Sequence, residues 1–209
     1  MKILLTLAVA VLPSVSALAG ENLVTSGGFE EFTSSAHNIQ NAIDPATYAP
    51  WRVFCLHDGN TSTPRSFYAG LSNDAAEGRQ AFSYGINASD DRGDCAIDRD
   101  ASRIPVEPGA TYKISFAAKD AGGCPQVVLG IAEWKKGDEQ NPGGILHHVA
   151  TEIYDLKPEY QTFSMTYTVQ EGEAVNLRFS PFDFSVPGLP ENTCTMLLDA
   201  VRMEKETAP

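Results

Sequence analysis

The strongest structural signal in this sequence is VEPGATYKISFAAK, residues 106–119. Tyr112, Ile114 and Phe116 alternate there with polar residues, a period of two that is typical of a strand with one face in a core and the other in water. A Pro-Gly pair at 108–109 precedes the alternation, and its glycine can take the positive φ of a turn. The stretch therefore predicts a turn followed by a half-buried antiparallel strand.

Short runs rich in β-branched and aromatic residues lie on both sides of this strand, separated by clusters of Gly, Pro, Asn and Asp. They cover residues 51–56, 66–69, 81–86, 126–133, 145–149, 162–169, 174–179 and 195–203. Such spacing, with few helix signals after residue 20, is typical of an all-β sandwich or barrel. The segment QEGE at 170–173 predicts a tight hairpin between two of the runs, and the acid-rich region made of residues 90–94 and 98–100 is interpreted as a solvated, salt-bridged loop.

The first nineteen residues have the pattern of a secretory signal peptide. One lysine is followed by an almost wholly apolar run at 3–12, and small residues end at Ala19. This pattern indicates export, and the run is too short to span a bilayer. We therefore expect removal of residues 1–19, with Ala17 as the alternative cleavage site, and a secreted or periplasmic protein in which residues 20–209 form one domain.

The charge of the chain is strongly unbalanced, with 15 basic and 27 acidic residues and a net charge of −12. Loss of Lys2 with the signal makes the charge one unit more negative. Because this charge repels nucleic-acid backbones and anionic lipid, we expect neither nucleic acid nor a membrane as partner. It weakly favours neutral over acidic polysaccharides, although an excess of acidic residues serves solubility in the first place.

Four cysteines, none in a Cys-x-x-Cys pair, predict disulfides in an exported chain and give no support to a zinc ribbon. Three pairings are possible. If the predicted strands alternate in direction from the one that contains Tyr112, the loops of Cys124 and Cys194 fall at the same end of the sandwich. We therefore predict Cys124–Cys194, which leaves Cys55–Cys95.

Four segments match a family pattern in the family's order. NLVTSGGFE at 22–30 is similar to its opening Asn-Leu-Val/Ile and Gly-x-Phe-Glu, EGRQA at 77–81 to a Gly-x-x-Ala stretch, and residues 106–119 to its central strand. LLDAVRM at 197–203 is similar to its closing Leu-Asp-Asp-Val-x-Leu, with Ala200 in place of the second Asp. The chain thus resembles the carbohydrate-binding modules of families four and nine, within the galactose-binding-like jelly rolls. The resemblance implies a two-sheet antiparallel β-sandwich and a non-catalytic protein that binds a polysaccharide or oligosaccharide.

Glu30 and Asp199 are the candidate metal ligands. Each lies beside or within an apolar run, where an unpaired carboxylate would be costly to desolvate. The resemblance implies that they hold a structural calcium together with backbone carbonyls near Gly28, and oxygen ligands suit such a hard cation. The alternative is that both carboxylates accept hydrogen bonds or pair with Lys or Arg at a strand edge.

A sugar site needs exposed aromatic rings beside hydrogen-bonding groups. Trp134 is the first choice because the sequence AEWK takes it from an apolar strand into a polar loop. The candidate ligand-binding residues are Trp134, Tyr154, Arg178, Phe182 and Phe184, with Gln126 as a second source of hydrogen bonds. Core packing is the alternative for each ring, and Trp51 is assigned to the core.

The sequence predicts no catalytic residue. His147 and His148 are adjacent in a predicted strand, so their rings point to opposite faces and cannot share a metal. A glycosidase needs two carboxylates about 5–9 Å apart, and no spacing here singles out a pair. We therefore expect an exported monomer that binds a neutral glycan, with a structural or adhesive jelly roll as the first alternative and a small glycan-active enzyme as the second.

Overall fold

A computed structural model describes residues 20–32, 37–39, 51–56, 67–86, 94–98, 103–137, 145–180 and 194–207. The regular elements among them are all β-strands. In chain order they are β1 (His37–Ile39), β2 (Arg52–Leu56), β3 (Phe67–Ser72), β4 (Ala81–Ile86), β5 (Asp94–Asp98), β6 (Ile104–Pro105), β7 (Thr111–Gly122), β8 (Gln126–Lys135), β9 (Ile145–Asp155), β10 (Gln161–Thr168), β11 (Ala174–Ser180) and β12 (Cys194–Lys205). Within these residues, no helix has the length and apolar character needed to cross a membrane.

The strands form two antiparallel sheets. Sheet A has the order β1-β3-β4-β12-β7-β10, and sheet B has the order β2-β5-β11-β8-β9 with β6 beside β11. Most neighbours within a sheet are far apart in sequence, since β12 lies between β4 and β7 and β11 lies between β5 and β8. The predicted all-β sandwich of two antiparallel sheets is confirmed.

The core fills the space between the sheets and is centred on aromatic rings. Phe29, Trp51, Phe82, Phe116 and Phe179 are almost completely buried. Ring centroids lie 5.2 Å apart for Phe29 and Trp51, and 5.0 Å apart for Phe116 and Phe179, where the rings meet edge to face. Each such side chain contributes about 1.5–3 kcal/mol by its burial. Trp51 lies in the core as predicted, and its indole N–H donates to the Ser26 carbonyl at 3.1 Å.

The Cys124–Cys194 disulfide, which links the second residue after β7 to the start of β12, confirms the predicted pairing. The two Cα atoms are 4.8 Å apart, and Gly123 forms a bridge with Thr195 beside the bond. Cys55 lies opposite Cys95 in the register of β2 and β5. That backbone arrangement suits the second predicted pair, which stays a prediction.

Residues 20–32 run along the second half of β12. The Leu23 amide donates to the Met203 carbonyl at 2.8 Å, and the Val201 amide donates to the Gly27 carbonyl at 2.9 Å. Gly27 lies so close to the Val201 carbonyl that a Cβ at this position would collide with it. The two ends of the described chain are therefore joined by backbone contacts.

Two sequence-based boundaries are wrong for identifiable reasons. Part of the segment interpreted as a solvated loop is β5, whose acidic residues masked a strand that pairs with both β2 and β11. β8 runs on to Lys135, so Trp134 lies within a strand and not in a loop. Glu133, the last residue of the predicted strand, is buried, and Trp134 is still paired with Ala174 of β11. The predicted hairpin at 170–173 does connect β10 to β11.

Candidate functional site

The outer face of sheet B carries polar side chains in the middle of the sandwich. On β11, Val175, Leu177 and Phe179 belong to the core, so the alternating residues Asn176 and Arg178 lie on the opposite face. Asn176 is 2% exposed, and Arg178 is half-buried. On the sheet face that points away from the core, a buried amide and a half-buried guanidinium thus lie close to the centre.

Small residues of β8 form the floor beside these side chains. Gly130 is paired with Arg178, and Ala132 is paired with Asn176. On the other side of β8, exposed Thr151 of β9 is paired with Gly130. Gly130 and Ala132 are buried and have smaller side chains than Asn176, Arg178 and Thr151 beside them, so this face of the sheet is lowest along β8. We call these five residues the sheet B trough.

Trp134 lies on the same face at one end of the trough, paired with Ala174 of β11. The guanidinium carbon of Arg103 lies 4.3 Å from the centre of its ring, a cation–π contact on one ring face. The indole N–H is buried and has no acceptor among the residues that the structure describes. A buried donor without an acceptor costs about 1–3 kcal/mol.

The trough brings together some of the predicted ligand-binding residues and not others. Trp134 and Arg178 share the outer face and lie four residues apart in strand register, or about 13 Å. Tyr154 lies on the inner side of β9, where its ring centroid is 4.9 Å from that of Phe163, and burial raises the pKa of its hydroxyl. Its ring packs against the core and does not reach the trough. Phe182 and Phe184 lie outside the described residues.

The two predicted metal ligands hold the segment 73–80, which connects β3 to β4. Asp199 is fully buried and accepts hydrogen bonds from the amides of Ala76 and Glu77, at 2.8 and 2.9 Å. Glu30 accepts hydrogen bonds from the amide of Arg79 at 2.6 Å and from that of Gln80 at 3.0 Å. Both carboxylates therefore bind the same short segment.

The two carboxylates differ in their ionisation. Burial raises the pKa of Asp199 in spite of its hydrogen bonds with backbone amides, and the nearby Glu77 carboxylate raises it further. Hydrogen bonds from the amides of Arg79 and Gln80 lower the pKa of Glu30, with a smaller effect of the Arg79 guanidinium 3.2 Å away. The charge of Asp199 is thus poorly compensated, whereas that of Glu30 is balanced.

Backbone strain is concentrated beside these carboxylates. The described non-glycine residues with positive φ are Ser26 at 59°, Phe29 at 56° and Ala200 at 50°. Phe29 directly precedes Glu30, Ser26 lies four residues before Glu30, and Ala200 directly follows Asp199. Left-handed conformations of this kind cost free energy and persist where surrounding contacts impose them, often at ligand sites.

A second buried carboxylate, Glu133, was not among the predicted site residues. It is 4% exposed, and it accepts hydrogen bonds from the Tyr167 hydroxyl and from the amides of Gln170, Glu171 and Gly172. Burial alone would raise the pKa of Glu133, but these four donors outweigh it and lower the pKa. The sequence could have predicted that Glu133 faces the core. Side chains alternate along a strand, and Leu129 and Ile131, at the preceding alternate positions, belong to the core.

Comparisons with known proteins support the β-sandwich fold of this chain. No protein-family profile matches this sequence, and no curated protein matches it significantly. A solved family 4 carbohydrate-binding module is similar, with 19% identity, coverage of 87% of this chain and 99% of that one, and a TM-score of 0.50. A family 61 module solved with β-1,4-galactotriose has 14% identity, coverage of 89% and 99%, and a TM-score of 0.52.

An enzymatically active domain of a bacteriophage CBA120 tailspike protein is also similar. It has 13% identity and a TM-score of 0.53, and the match covers 88% of this chain but 21% of that one. At these identities the likeness concerns the β-sandwich. A shared β-sandwich fold does not by itself determine what the protein binds.

Proposed function

We propose that this chain is an exported, non-catalytic protein that binds a neutral polysaccharide or oligosaccharide along the sheet B trough. The observation that carries the proposal is the small-residue floor of Gly130 and Ala132, with Arg178 and Asn176 on one side and the Trp134 ring at one end. The signal-like segment 1–19 and the Cys124–Cys194 disulfide support export, since disulfides persist in oxidising compartments.

The chemistry of the trough suits sugar hydroxyls. A guanidinium donates hydrogen bonds, a carboxamide both donates and accepts them, and an indole offers an apolar face to C–H groups as well as one N–H donor. The separation of about 13 Å between Trp134 and Arg178 is longer than one sugar ring, which favours an extended oligosaccharide. The net charge of −12 favours a neutral ligand over an acidic one.

Binding of the purified chain to neutral plant, algal and fungal polysaccharides, by pull-down and calorimetry, tests the proposal. We expect Arg178→Ala and Trp134→Ala each to weaken binding about tenfold or more, which corresponds to about 1.4 kcal/mol. Lys113→Ala is the matched control, because Lys113 is an exposed cation on the outer face of sheet A. Thermal melting of each variant verifies that it is folded.

The other outcomes are informative. If no polysaccharide binds, the proposal fails in favour of a structural or adhesive jelly roll. If Lys113→Ala weakens binding as much as Arg178→Ala does, the site is not the trough. If the chain releases soluble sugar, it is a glycan-active enzyme.

We further propose that Gly28, Glu30 and Asp199 hold a structural calcium ion. Asp199 Oδ1 and Glu30 Oε2 each accept one hydrogen bond and keep a lone pair, and the described residues include no donor to the Gly28 carbonyl. Such oxygens fit a hard cation, and a cation would relieve the poorly compensated charge of Asp199. The described part of the chain contains no cluster of three or more acidic, histidine or cysteine side chains, so backbone carbonyls would have to supply the remaining ligands.

Thermal melting in excess chelator and with added calcium tests the metal site. We expect calcium to raise the melting temperature, because an ion at 100 times its Kd that binds only the folded state adds about 2.7 kcal/mol. Asp199→Asn should abolish the increase, and Asp155→Asn, at an exposed position of β9, should leave it unchanged. A melting temperature insensitive to both chelator and calcium would mean that the two carboxylates serve only as acceptors for segment 73–80.

A further inference from the structure

β10 is an edge strand of sheet A without the usual protection of an edge. Its sequence, QTFSMTYT, contains no Asp, Glu, Lys, Arg or Pro, although 20% of the whole chain is charged. It pairs with β7 along one side, and no described residue pairs with its other side. Edge strands normally carry charges, prolines or bulges that prevent pairing with another chain, so an uncharged, regular edge of eight residues indicates a partner strand.

On the same side of the sandwich, the apolar side chains of the core are less completely buried than in the rest of the described residues. The described apolar residues that are only partly buried against the core number eight, and five of them lie on β9 and β10: Val149, Ala150, Tyr154, Phe163 and Met165. The rings of Tyr154 and Phe163 are in contact, which shows that the edges of the two sheets lie against each other here. A strand added beside β10 would cover the open ends of these side chains.

We propose that β10 pairs with β10 of a second copy of this chain, antiparallel about a two-fold axis. The burial of β10 alternates strictly, with Thr162, Ser164, Thr166 and Thr168 exposed and the intervening residues turned to the core side. In antiparallel pairing, residues directly opposite each other lie on the same face. With the axis at Ser164, Thr162 meets Thr166 on the outer face, and Phe163 meets Met165 on the core side.

This self-complementarity is what selects a second copy over an unrelated strand. Hydroxyl pairs across strands are already used on this face, since the Thr111 and Thr168 hydroxyls are 2.9 Å apart between β7 and β10. A sulfur beside an aromatic ring is also a favourable contact. Since the chain is strongly negative, two copies repel each other over most of their surface. An uncharged edge is where they can approach at the lowest cost. The proposal replaces the monomer expected from the sequence.

Sedimentation equilibrium over a range of concentrations, up to high micromolar, tests the dimer. We expect the unmodified protein to reach twice the mass of one chain and Ser164→Lys to remain a monomer, because the two new charges would face each other at the axis. Gln170→Lys is the matched control, since it adds the same charge at an exposed position two residues beyond β10. It should dimerise like the unmodified protein. Both substitutions reduce the net negative charge, so general repulsion cannot explain a loss confined to Ser164→Lys.

A single mass at every concentration of the unmodified protein would overturn the proposal, as would a dimer that both substitutions disrupt or neither does. Ser164→Lys should melt close to the unmodified protein, because its side chain points to solvent. Amide hydrogen exchange provides a measurement without substitution. Exchange in Gln161–Thr168 should slow as the protein concentration rises, and concentration-independent exchange would contradict the pairing.

Discussion

Glu133 and Asp199 are both buried carboxylates that accept hydrogen bonds from backbone amides of a nearby loop, yet their ionisation is shifted in opposite directions. Glu133 has four donors, one of them the Tyr167 hydroxyl, and its pKa is lowered. Asp199 has three amide donors and the Glu77 carboxylate nearby, and burial raises its pKa. The number of hydrogen-bond donors and the sign of the neighbouring charge decide whether folding favours the ionised or the protonated form of a buried carboxylate.

The Glu133 site is therefore complete with the protein's own hydrogen-bond donors, whereas the negative charge of Asp199 is not compensated by a positive one among the described residues. The Glu133 site closes the turn between β10 and β11 with the protein's own donors, and a Cβ on Gly172 would lie 2.9 Å from that of Glu133. The Asp199 site lies among strained residues and beside a second acid. The first is expected to govern stability, and the second is expected to respond to ions.

The largest effect is expected at Glu133. Glu133→Ala leaves the amides of the 170–172 turn and the buried Tyr167 hydroxyl without their acceptor and opens a cavity. We expect the free energy of unfolding to fall by about 3–5 kcal/mol. Urea unfolding measures it. Glu173→Ala, at an exposed position of the same turn, should change it by less than about 0.5 kcal/mol, and a similar loss in both variants would refute the role of Glu133.

The pH dependence of stability should separate the two sites next. Because the folded state lowers the pKa of Glu133 from its ordinary 4.5, the stabilisation is complete above that value and is lost as pH falls through the folded pKa. The stability deficit of Glu133→Gln should therefore be largest near neutral pH and shrink as pH falls below 4.5. Denaturant titrations at several pH values measure it. A deficit that is constant with pH would show that shape alone, and not charge, matters at this site.

In chelator, Asp199 should show the opposite sign. Its pKa is raised on folding, so ionisation of Asp199 reduces stability as pH rises through the folded pKa. Relative to the unmodified protein, Asp199→Asn should thus gain stability as pH rises. If the stability loss of Asp199→Asn instead changes with pH in the same direction as that of Glu133→Gln, the contrast between the two sites is not electrostatic.

The smallest effect is expected from Ala200, which has a φ of 50° and lies in the irregular part of β12 directly after Asp199. Ala200→Gly removes a left-handed strain of about 1–2 kcal/mol and adds a chain-entropy cost of about 0.5–1 kcal/mol. We expect the variant to be more stable by up to about 1 kcal/mol, measured by urea unfolding. Ala110→Gly, where φ is not positive, should lose about 0.5–1 kcal/mol. Equal losses in both would mean that the strain at Ala200 carries no cost.

The sequence was a good guide where alternation is regular and a poor one where contacts come from distant strands. The Tyr112, Ile114 and Phe116 alternation gave β7 because local periodicity reports burial directly. Trp134 was placed in a loop because the sequence AEWK leads from an apolar strand into polar residues, and the Tyr167 hydroxyl that completes the Glu133 site comes from a strand 34 residues away. Nor does any local signal reveal that Tyr154 faces Phe163.

The pairing of residues 20–32 with β12 has a mechanical consequence. Because Asn22 bridges Glu204 in antiparallel fashion, tension applied between the two ends would peel the first segment away one backbone hydrogen bond at a time, not all at once. The Cys124–Cys194 bond would then prevent the 70-residue stretch between the two cysteines from being extended, which corresponds to about 240 Å of fully extended chain. Under load the molecule should therefore yield early at its ends and lengthen only by the part of the chain outside that loop.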